Sequence, residues 1–409
     1  MLWIFYDFAM FIMTLAARAG GMFSGKLKLR NRGLRDQKIP SLKNCIWIHA
    51  ASLGEFEQGK SIIDGIRAQY PEKKLVLTFF SASGYEKRYD YANADHVFYL
   101  PYDRYRGMKN FVSALNPELV VIVKYEFWFN WMRILRRKGI PYVFVSAVFR
   151  PDQFFLKKGF GPFREVLKSS EFLFVQNQSS VDVLSEFGFD NVVLKGDTRV
   201  DRTIEIVSED YTSPEIEKWM GTDYCVIAGS SWPPEEKWIS SIYKNFPDWK
   251  WIIAPHEVNE NHIRDIKSLF GDDVVTFSDL LSGEYPTDDQ NVPILLIDQI
   301  GLLSRLYRYG DAAVIGGGMG AGIHNTLEPA AYGIPVIFGK KYENFQEAID
   351  FVEMDVARSV ESGTQLAAAL QYFSGEEKRD QVKNLLHKYF ENHSGATESI
   401  LQQIKKILS

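Results

Sequence analysis

The chain of 409 residues has few cysteines and no excess of positive charge. Its two cysteines, Cys45 and Cys225, are too few for a disulfide framework or a cysteine-ligated zinc site. Each lies at the start of an apolar, strand-like run, which predicts two buried thiols in a reducing setting. The formal net charge of -5 argues against a dedicated nucleic-acid binder. The sequence also lacks the G-x-G-x-x-G fingerprint and a D-x-D pair, which argues against a dinucleotide site and a metal-held diphosphate.

An apolar segment opens the chain, and basic residues follow it instead of preceding it as in a secretory signal. Residues 2–17 are apolar apart from Asp7 and Thr14, but 16 residues fall short of the roughly 20 that span a bilayer. The cations that follow are Lys26, Lys28, Arg30, Arg32, Arg35 and Lys38. We therefore expect residues 1–38 to bind an anionic membrane surface. Whether residues 2–17 span or lie in the membrane stays open, and a helix packed on the protein itself is the alternative.

Short apolar runs alternate with helical patterns twice along the chain, which predicts two parallel α/β domains with a cleft between them. The first series runs over residues 39–205 and the second over residues 222–375, with a polar linker expected at 206–221. Residues 376–409 have a helical pattern, and we expect them to pack back on the first domain. No internal repeat interrupts this order.

A glycine-rich loop at residues 316–333, GGGMGAGIHNTLEPAAYG, follows one strand of the second series. Ligands of open parallel sheets bind beyond the carboxyl ends of strands, so this loop is a candidate phosphate site. Asn325 or Thr326 is placed to cap a helix, and Glu328 is placed to accept hydrogen bonds from a ribose diol. An ordinary glycine-rich turn with helix capping is the alternative interpretation.

A second loop, HAASLGEFEQGK at residues 49–60, follows the first strand of the first series. Glu55 lies where a helix should begin, and a carboxylate there is stabilised by the helix dipole. The same position suits a general base toward an acceptor hydroxyl. The residues alone leave both roles open. Lys124, Glu126, Arg199 and His256 lie in further loops of the same kind, and ordinary surface charges or a structural histidine are their default interpretation.

Taken together, the loops resemble the Kdo transferases of Gram-negative bacteria, which transfer 3-deoxy-D-manno-octulosonic acid (Kdo). The segments that carry the resemblance, in chain order, are HAASLGE, SASGYEKR, YLPYD, EFWFN, GDTRVD and GIHNTLEP, after an apolar amino-terminal anchor. The resemblance implies a GT-B architecture with two Rossmann-like domains, CMP-Kdo as donor substrate and a lipid A precursor as acceptor. It further implies inversion, no metal or other cofactor, and a place on the cytoplasmic face of the inner membrane.

The same resemblance assigns roles to individual residues. Glu55 matches the general base, and Arg199 falls where a lysine usually stabilises the transition state. The positions that match the family's CMP contacts are Pro255, His256, Ile300, Gly301, Leu302, Asn325, Thr326, Leu327 and Glu328.

Three positions depart from the family pattern. Lys124 stands where an acid is usual, so the acid's role passes to Glu126 or is dispensable. His256 remains without the arginine that usually precedes it, and Leu302 replaces a common acid. Two alternatives to a Kdo transferase remain: another GT-B nucleotide-sugar enzyme, and a non-catalytic membrane-bound GT-B module.

Overall fold

The computed structural model describes residues 2–124, 126–283, 292–320 and 322–409, and it divides into two units. Unit 1 comprises residues 1–202 and 393–409, and unit 2 comprises residues 203–392. Each unit contains its own parallel sheet covered by helices, which confirms the predicted α/β class.

The sheet of unit 1 has seven strands in the order β3-β2-β1-β4-β5-β6-β7, and the pairings between neighbours are parallel. The strands are β1 (Cys45–His49), β2 (Leu75–Phe79), β3 (His96–Tyr99), β4 (Pro117–Val123), β5 (Tyr142–Ala147), β6 (Phe172–Val175) and β7 (Val192–Leu194). The helices are α1 (Leu2–Gly20), α2 (Gly25–Asp36), α3 (Leu53–Gln69), α4 (Ala82–Arg88), α5 (Tyr105–Leu115), α6 (Phe129–Lys138), α7 (Gly161–Lys168), α8 (Gln178–Glu186) and α9 (Thr198–Ser208).

The sheet of unit 2 is also parallel, in the order β10-β11-β9-β8-β12-β13-β14, and differs from that of unit 1 because β11 lies between β9 and β10. Its strands are β8 (Tyr224–Ser231), β9 (Trp249–Pro255), β10 (Val274–Thr276), β11 (Ile294–Leu296), β12 (Ala312–Ile315), β13 (Val336–Gly339) and β14 (Ala357–Val360). Its helices are α10 (Pro214–Met220), α11 (Pro233–Ile242), α12 (Glu260–Phe270), α13 (Phe277–Ser282), α14 (Leu303–Leu306), α15 (Leu327–Ala331), α16 (Gln346–Glu353), α17 (Gly363–Phe373) and α18 (Glu376–His393). The last helix, α19 (Ala396–Leu408), belongs to unit 1 and packs on α3.

Continuous apolar runs form the central strands because both faces of each sheet are covered by helices. In β1, for example, all five residues of CIWIH are buried. Cys45 and Cys225 are buried free thiols, as predicted. Burial raises the pKa of the Cys45 thiol to about 12, so this side chain is chemically inert at neutral pH.

Helix α1 is amphipathic, and one face packs on unit 1 through hydrogen bonds as well as apolar contacts. The Tyr6 hydroxyl donates to Asp103 Oδ2 at 2.8 Å, and Asp7 Oδ1 accepts from the Tyr105 amide at 2.7 Å. The opposite face exposes the large apolar side chains Ile4, Phe5, Phe8, Ile12 and Leu15. No single helix among the described residues is long and apolar enough to cross a bilayer, although the bent pair α1 and α2 meets the length and composition test together.

Arg30 departs from the basic surface predicted for residues 26–38. Its side chain is buried, and its guanidinium donates to the carbonyl oxygens of Phe80 at 2.5 Å and Leu100 at 2.9 Å. It also stacks on the rings of Phe80 and Tyr102. Arg30 therefore attaches α2 to the ends of β2 and β3, whereas Lys26, Lys28, Arg32 and Arg35 stay exposed.

The segment at residues 206–221, expected as a linker, contains the end of α9 and the whole of α10. The unit boundary instead falls inside α9, between Arg202 and Thr203. Residues 376–409 are divided as well, because α18 lies in unit 2 apart from its last residue and only α19 packs on unit 1.

Residues 54–61 spell GEFEQGKS, which fits the letters of a nucleotide-binding P-loop. All eight residues lie inside α3, where the Glu55 amide is bonded to Ser52 Oγ and the amides that follow it are engaged in helical hydrogen bonds, so the segment does not form a phosphate-binding loop. The second glycine, Gly59, has a packing role, because an added Cβ atom would lie 2.8 Å from Val123. This segment is therefore not a P-loop.

Candidate active site

In each sheet the strand order reverses beside the first strand of the unit, and the loops of interest lie there. In unit 1 the reversal falls between β1 and β4, whose loops carry Glu55 and Glu126. In unit 2 it falls between β8 and β12, the latter followed by the glycine-rich loop. Open parallel sheets bind ligands in the crevice that such a reversal creates.

Glu55 is the third residue of α3 and is fixed by a capping box. The Ser52 amide donates to Glu55 Oε2 at 3.1 Å, and the Glu55 amide donates to Ser52 Oγ at 3.4 Å. These reciprocal bonds satisfy two amides at the helix start and restrict the carboxylate to one orientation. The capping role considered for Glu55 is therefore confirmed, and it leaves a chemical role for the same carboxylate open.

The pKa of Glu55 is raised, mainly because the side chain is half-buried and next because the Glu126 carboxylate lies nearby. His49, the Ala51 amide and Lys124 act in the opposite direction. His49 in β1 and the charged residues in the loops after β1 and β4 therefore act on one carboxylate, and we treat them as one electrostatic group. A carboxylate with a raised pKa is a better proton acceptor than an ordinary surface glutamate.

His49, the last residue of β1, is fully buried beside this group. Its Nδ1 atom lies 3.0 Å from the Thr78 carbonyl oxygen and 2.9 Å from Thr78 Oγ1. Because a carbonyl oxygen only accepts, Nδ1 carries the proton in this arrangement. Nε2 lies 3.7 Å from Glu126 Oε2 and has no hydrogen-bond partner among the described residues. His49 therefore directs Nε2 toward the glutamate beside Glu55.

The loop after β4 is shaped by an unusual backbone at Lys124, whose φ is +61°. A non-glycine residue in this left-handed conformation is strained and persists where the surroundings impose it. The Lys124 amide donates to the Val145 carbonyl at 3.0 Å, which holds the turn against β5. Further along the loop, the Trp128 indole donates to Glu126 Oε2 and stacks on Phe80.

Arg199 lies in the first turn of α9, and a hydrogen bond from the neighbouring Thr198 links this turn to α3. Its Nε atom donates to Asp197 Oδ2 at 2.7 Å, so part of its charge is offset by this ion pair. The preceding residue, Thr198, donates to the Gln58 carbonyl oxygen at 2.5 Å. Since Gln58 is one turn after Glu55 in α3, this bond positions the start of α9 near the general-base candidate.

In unit 2, three aromatic side chains form a stack between β8, β9 and the glycine-rich loop. His256 lies 4.7 Å from Trp232 and 4.3 Å from His324, measured between ring centroids. The Trp232 indole donates to His324 Nε2 at 3.0 Å, so that nitrogen carries no proton. Burial, followed by the nearby His256, lowers the pKa of His324 to about 4 and keeps it neutral.

The glycines at the end of β12 are required by close packing. An added Cβ atom at Gly316 would lie 2.0 Å from the Ser230 carbonyl oxygen, and Gly317 has φ +90°. Beyond them, Asn325 Nδ2 donates to Glu328 Oε1 at 3.0 Å, and Asn325 Oδ1 accepts from the Leu327 amide at 3.1 Å. Asn325 thus supplies the capping bond, whereas Thr326 is buried and makes no side-chain cap.

The remaining predicted nucleotide contacts also follow strands of unit 2. Pro255 ends β9, and the His256 amide donates to the Ser231 carbonyl oxygen at 3.0 Å. After β11, Ile300 is 81% exposed and Gly301 has φ +95°, so this turn is open to solvent. Leu302 precedes α14. Trp232 and Glu235 were not predicted as site residues. Trp232 lies between β8 and α11, and Glu235 is the third residue of α11, so their position directly after a strand was the signal that could have found them.

Among the described residues, no group of three or more His, Cys, Asp or Glu side chains is arranged to hold a metal ion.

The class of protein follows from the fold of the two doubly wound units. UDP-GlcNAc 2-epimerase from Neisseria meningitidis, bound to UDP-GlcNAc, superposes with a TM-score of 0.60, covering 88% of this chain and 99% of that chain at 14% identity. At this identity the likeness shows the fold alone, which is the GT-B-like arrangement of two Rossmann-like units.

Sequence comparison gives the family. Residues 26–202 match the family described as 3-Deoxy-D-manno-octulosonic-acid transferase (kdotransferase). The 3-deoxy-D-manno-octulosonic acid transferase of Aquifex aeolicus is 25% identical over 84% of this chain and 90% of its own length. A bifunctional glycosyltransferase/methyltransferase of Fusobacterium nucleatum is 24% identical over 83% of this chain, and the match spans 54% of that protein. The matched family model and the relatives make this chain similar to the Kdo transferases over most of its length.

Proposed function

We propose that this protein transfers Kdo from CMP-Kdo to a hydroxyl group of a lipid A precursor, lipid IVA, with inversion and without a metal ion. Similarity to the Kdo transferase family supports the donor and the kind of reaction. The observation that carries the mechanism is Glu55, a half-buried carboxylate held by a capping box at the strand-order reversal of unit 1.

In the proposed reaction, the Glu55 carboxylate accepts the proton of the acceptor hydroxyl while that oxygen attacks the anomeric carbon of Kdo. The bond from this carbon to the phosphate oxygen breaks, and CMP departs with the bonding electron pair. A single displacement of this kind inverts the anomeric centre. The raised pKa of Glu55 favours this role because a stronger base takes the proton more readily, provided that it is ionised at the working pH.

The negative charge that develops on the departing CMP requires a cation or hydrogen-bond donors. Arg199, at the start of α9, is the residue that we assign to it, and its ion pair with Asp197 holds the guanidinium in place. Lys124 and Glu126 adjust the charge around Glu55 from the loop after β4. Glu126 is our choice for the role of the family's usual acid, because Lys124 cannot accept a proton as a carboxylate does.

The donor nucleotide is assigned to unit 2. We propose that Asn325 holds Glu328 for the ribose hydroxyls and that His256 contacts the phosphate by a hydrogen bond. The other contacts proposed for CMP are Pro255, Ile300, Gly301, Leu302, Thr326 and Leu327.

Attachment to the cytoplasmic face of an inner membrane is the proposed location. The exposed apolar side chains of α1, together with the exposed cations of α2, support it, since the two features suit an anionic bilayer surface. Because the other face of α1 packs on unit 1, we favour a helix that lies in the membrane surface.

The direct test is transfer from freshly generated CMP-Kdo to tetra-acylated lipid A precursor, with and without a chelator. Product that persists in the chelator is the expected result, and inversion is read from the anomeric configuration by NMR. Loss of product on chelation would remove the metal-free mechanism. A folded protein that binds CMP but forms no product would instead favour another acceptor or a binding-only role.

A further inference from the structure

Unit 2 contains a pocket of about 370 Å³ that the proposed mechanism does not use. Its volume falls within the roughly 300–1,000 Å³ of small-molecule sites. It lies between the turn after β8 and the glycine-rich loop after β12, at the strand-order reversal of the sheet. The lining residues are Trp232, Pro233, Pro234, Glu235, Gly317, Met319, Gly320, Gly322 and His324.

Glu235 is the acidic residue of this wall and is only 1% exposed. Its Oε2 atom accepts from the Trp232 amide at 3.3 Å, and the Gly317 amide also lies close enough to lower the pKa of Glu235. Oε1 itself has no partner with hydrogen-bond geometry among the described residues. Buried carboxylate oxygens are almost always hydrogen-bonded, so Oε1 is suited to accept a hydrogen bond from a ligand. The neighbouring Glu236 differs, because its two oxygens are bonded to Ser231 Oγ and His262 Nε2.

The chemistry of the lining disfavours an anion. The lining residues include no lysine or arginine. Pro233 and Pro234 occupy the first positions of α11, so two amides that a phosphate would use there are missing. Glu235 would repel a phosphate or carboxylate while it is ionised. A neutral ligand with hydroxyl donors fits this lining better.

Trp232 and the glycine-rich loop provide two further features that suit a sugar ligand. The indole offers a flat apolar surface for the C–H groups of a carbohydrate. The loop glycines expose backbone at the pocket wall and allow a close approach. The pocket also adjoins the proposed nucleotide contacts, since His256 stacks on both Trp232 and His324.

We propose that this pocket receives the hydroxylated part of the donor sugar and that Glu235 Oε1 accepts a hydrogen bond from one of its hydroxyl groups. The inference rests on the proposed function, because the sugar reaches the pocket as part of a CMP-linked donor. It adds a specificity site for the sugar that is separate from the contacts to CMP.

Calorimetry on the full chain tests this with two ligands: CMP, and a hydrolysis-resistant CMP-Kdo analogue. We expect Glu235→Gln to leave the dissociation constant for CMP within about twofold and to weaken the analogue about tenfold or more, as the loss of a hydrogen bond to a charged group does. Glu236→Gln is the matched control, since it removes an equally buried carboxylate of the same helix that does not line the pocket. It should lower the melting temperature but keep the ratio of the two affinities.

A second variant fills the pocket without relying on Glu235. At Gly320 an added Cβ atom meets only the Gly317 carbonyl oxygen, at an ordinary 3.6 Å, so Gly320→Leu should fold. We expect it to retain CMP and to lose the analogue's extra affinity.

Unchanged affinity ratios in both Glu235→Gln and Gly320→Leu would overturn the inference, and so would tighter binding of CMP by Glu235→Gln, which would indicate an anion site. In these cases the wild type still binds CMP, and the proposed function stands. A wild type that does not bind CMP would instead remove the proposed function and this inference with it.

Discussion

The two units both contain a parallel, doubly wound sheet but place different chemistry beside its first strand. In unit 1 the strand-order reversal collects ionisable side chains, with Glu55, Glu126 and His49 close enough to influence one another. In unit 2 it collects glycines, stacked rings and a histidine that stays neutral. The first arrangement suits proton transfer and the second suits holding a ligand. The same kind of sheet thus supports two tasks, and the loop residues decide which task each unit performs.

One backbone feature recurs in both crevices. Lys124 follows β4 in unit 1 with φ +61°, and Ser230 lies in β8 of unit 2 with φ +50°. Each turns the chain at a strand of the reversal point in a conformation that costs free energy for a non-glycine residue. Such strain is retained where tertiary packing holds it, which is common at functional sites.

The largest effect is expected when the proposed base of unit 1 is removed. We expect Glu55→Gln to lower kcat by about two orders of magnitude or more, because the amide cannot accept the proton, while CMP affinity stays unchanged. Single-turnover transfer and CMP calorimetry measure the two quantities. Glu57→Gln, in the same helix and paired with Arg88 at 2.8 Å, is the control and should leave kcat near wild type. Equal turnover in Glu55→Gln would assign the carboxylate to capping alone.

His49 tests whether unit 1 acts as one electrostatic group. His49→Asn keeps a donor near Nδ1 for Thr78 but removes Nε2, whereas His49→Gln places a polar amide near the position of Nε2. His49 and Lys124 lower the pKa of Glu55, whereas Glu126 raises it. Loss of His49 should therefore raise the pKa of Glu55. The base must be deprotonated, so the acid limb of the kcat/KM profile should move to higher pH, by up to about one unit.

The glutamine variant should shift the same limb less. A uniform loss of rate in both variants, with the limb unmoved, would mean that His49 only supports the fold.

Helix α1 is a further feature of unit 1, and Asp103 links it by hydrogen bonds to the start of α6. Asp103 accepts bonds from the Tyr6 hydroxyl and from the Asn130 and Trp131 amides, each at 2.8 Å. We expect Tyr6→Phe to lower the free energy of unfolding of unit 1 by about 1–2 kcal/mol, the value of a hydrogen bond to a carboxylate. Urea unfolding measures it, with the exposed Tyr89→Phe as control.

The pH dependence of this effect has a definite sign. Burial raises the pKa of Asp103 to about 7, above the ordinary aspartate value in the unfolded chain. The folded state therefore holds the proton more tightly, and its contribution to stability is fully present below about pH 4 and lost as the pH rises to about 7. Tyr6 acts against this rise, so Tyr6→Phe should steepen the loss. An identical pH profile in both proteins would contradict this coupling.

The smallest effect is expected in unit 2. Because the pKa of His324 is lowered to about 4, the ring should stay neutral from pH 5 to 8, and CMP affinity should not follow its titration. Histidine NMR titration of the wild type measures this. A His324 midpoint near 6 would show that burial and the stack do not suppress its charge.

The central strands were predictable from the sequence, whereas several strands at the sheet edges were not. The runs CIWIHA and YCVIAG are apolar throughout because helices cover both faces of a central strand, and both form strands as expected. By contrast, β7, β10 and β14 have only three, three and four residues and do not stand out as apolar runs in the sequence. An edge strand has one neighbour and fewer buried side chains, so its sequence is shorter and less apolar.

The sequence by itself determined the two α/β series, the glycine-rich turn and the position of Glu55 at the start of a helix, because these depend on local periodicity and capping. Only the tertiary structure showed that His49 and Glu126 adjoin Glu55, that Arg30 is buried, and that Glu235 lines a pocket with one oxygen unpaired. Burial and the distance between charges arise when strands far apart in the chain become neighbours. No local pattern records them, which is why the charged groups had to be located in the fold before their chemistry could be assigned.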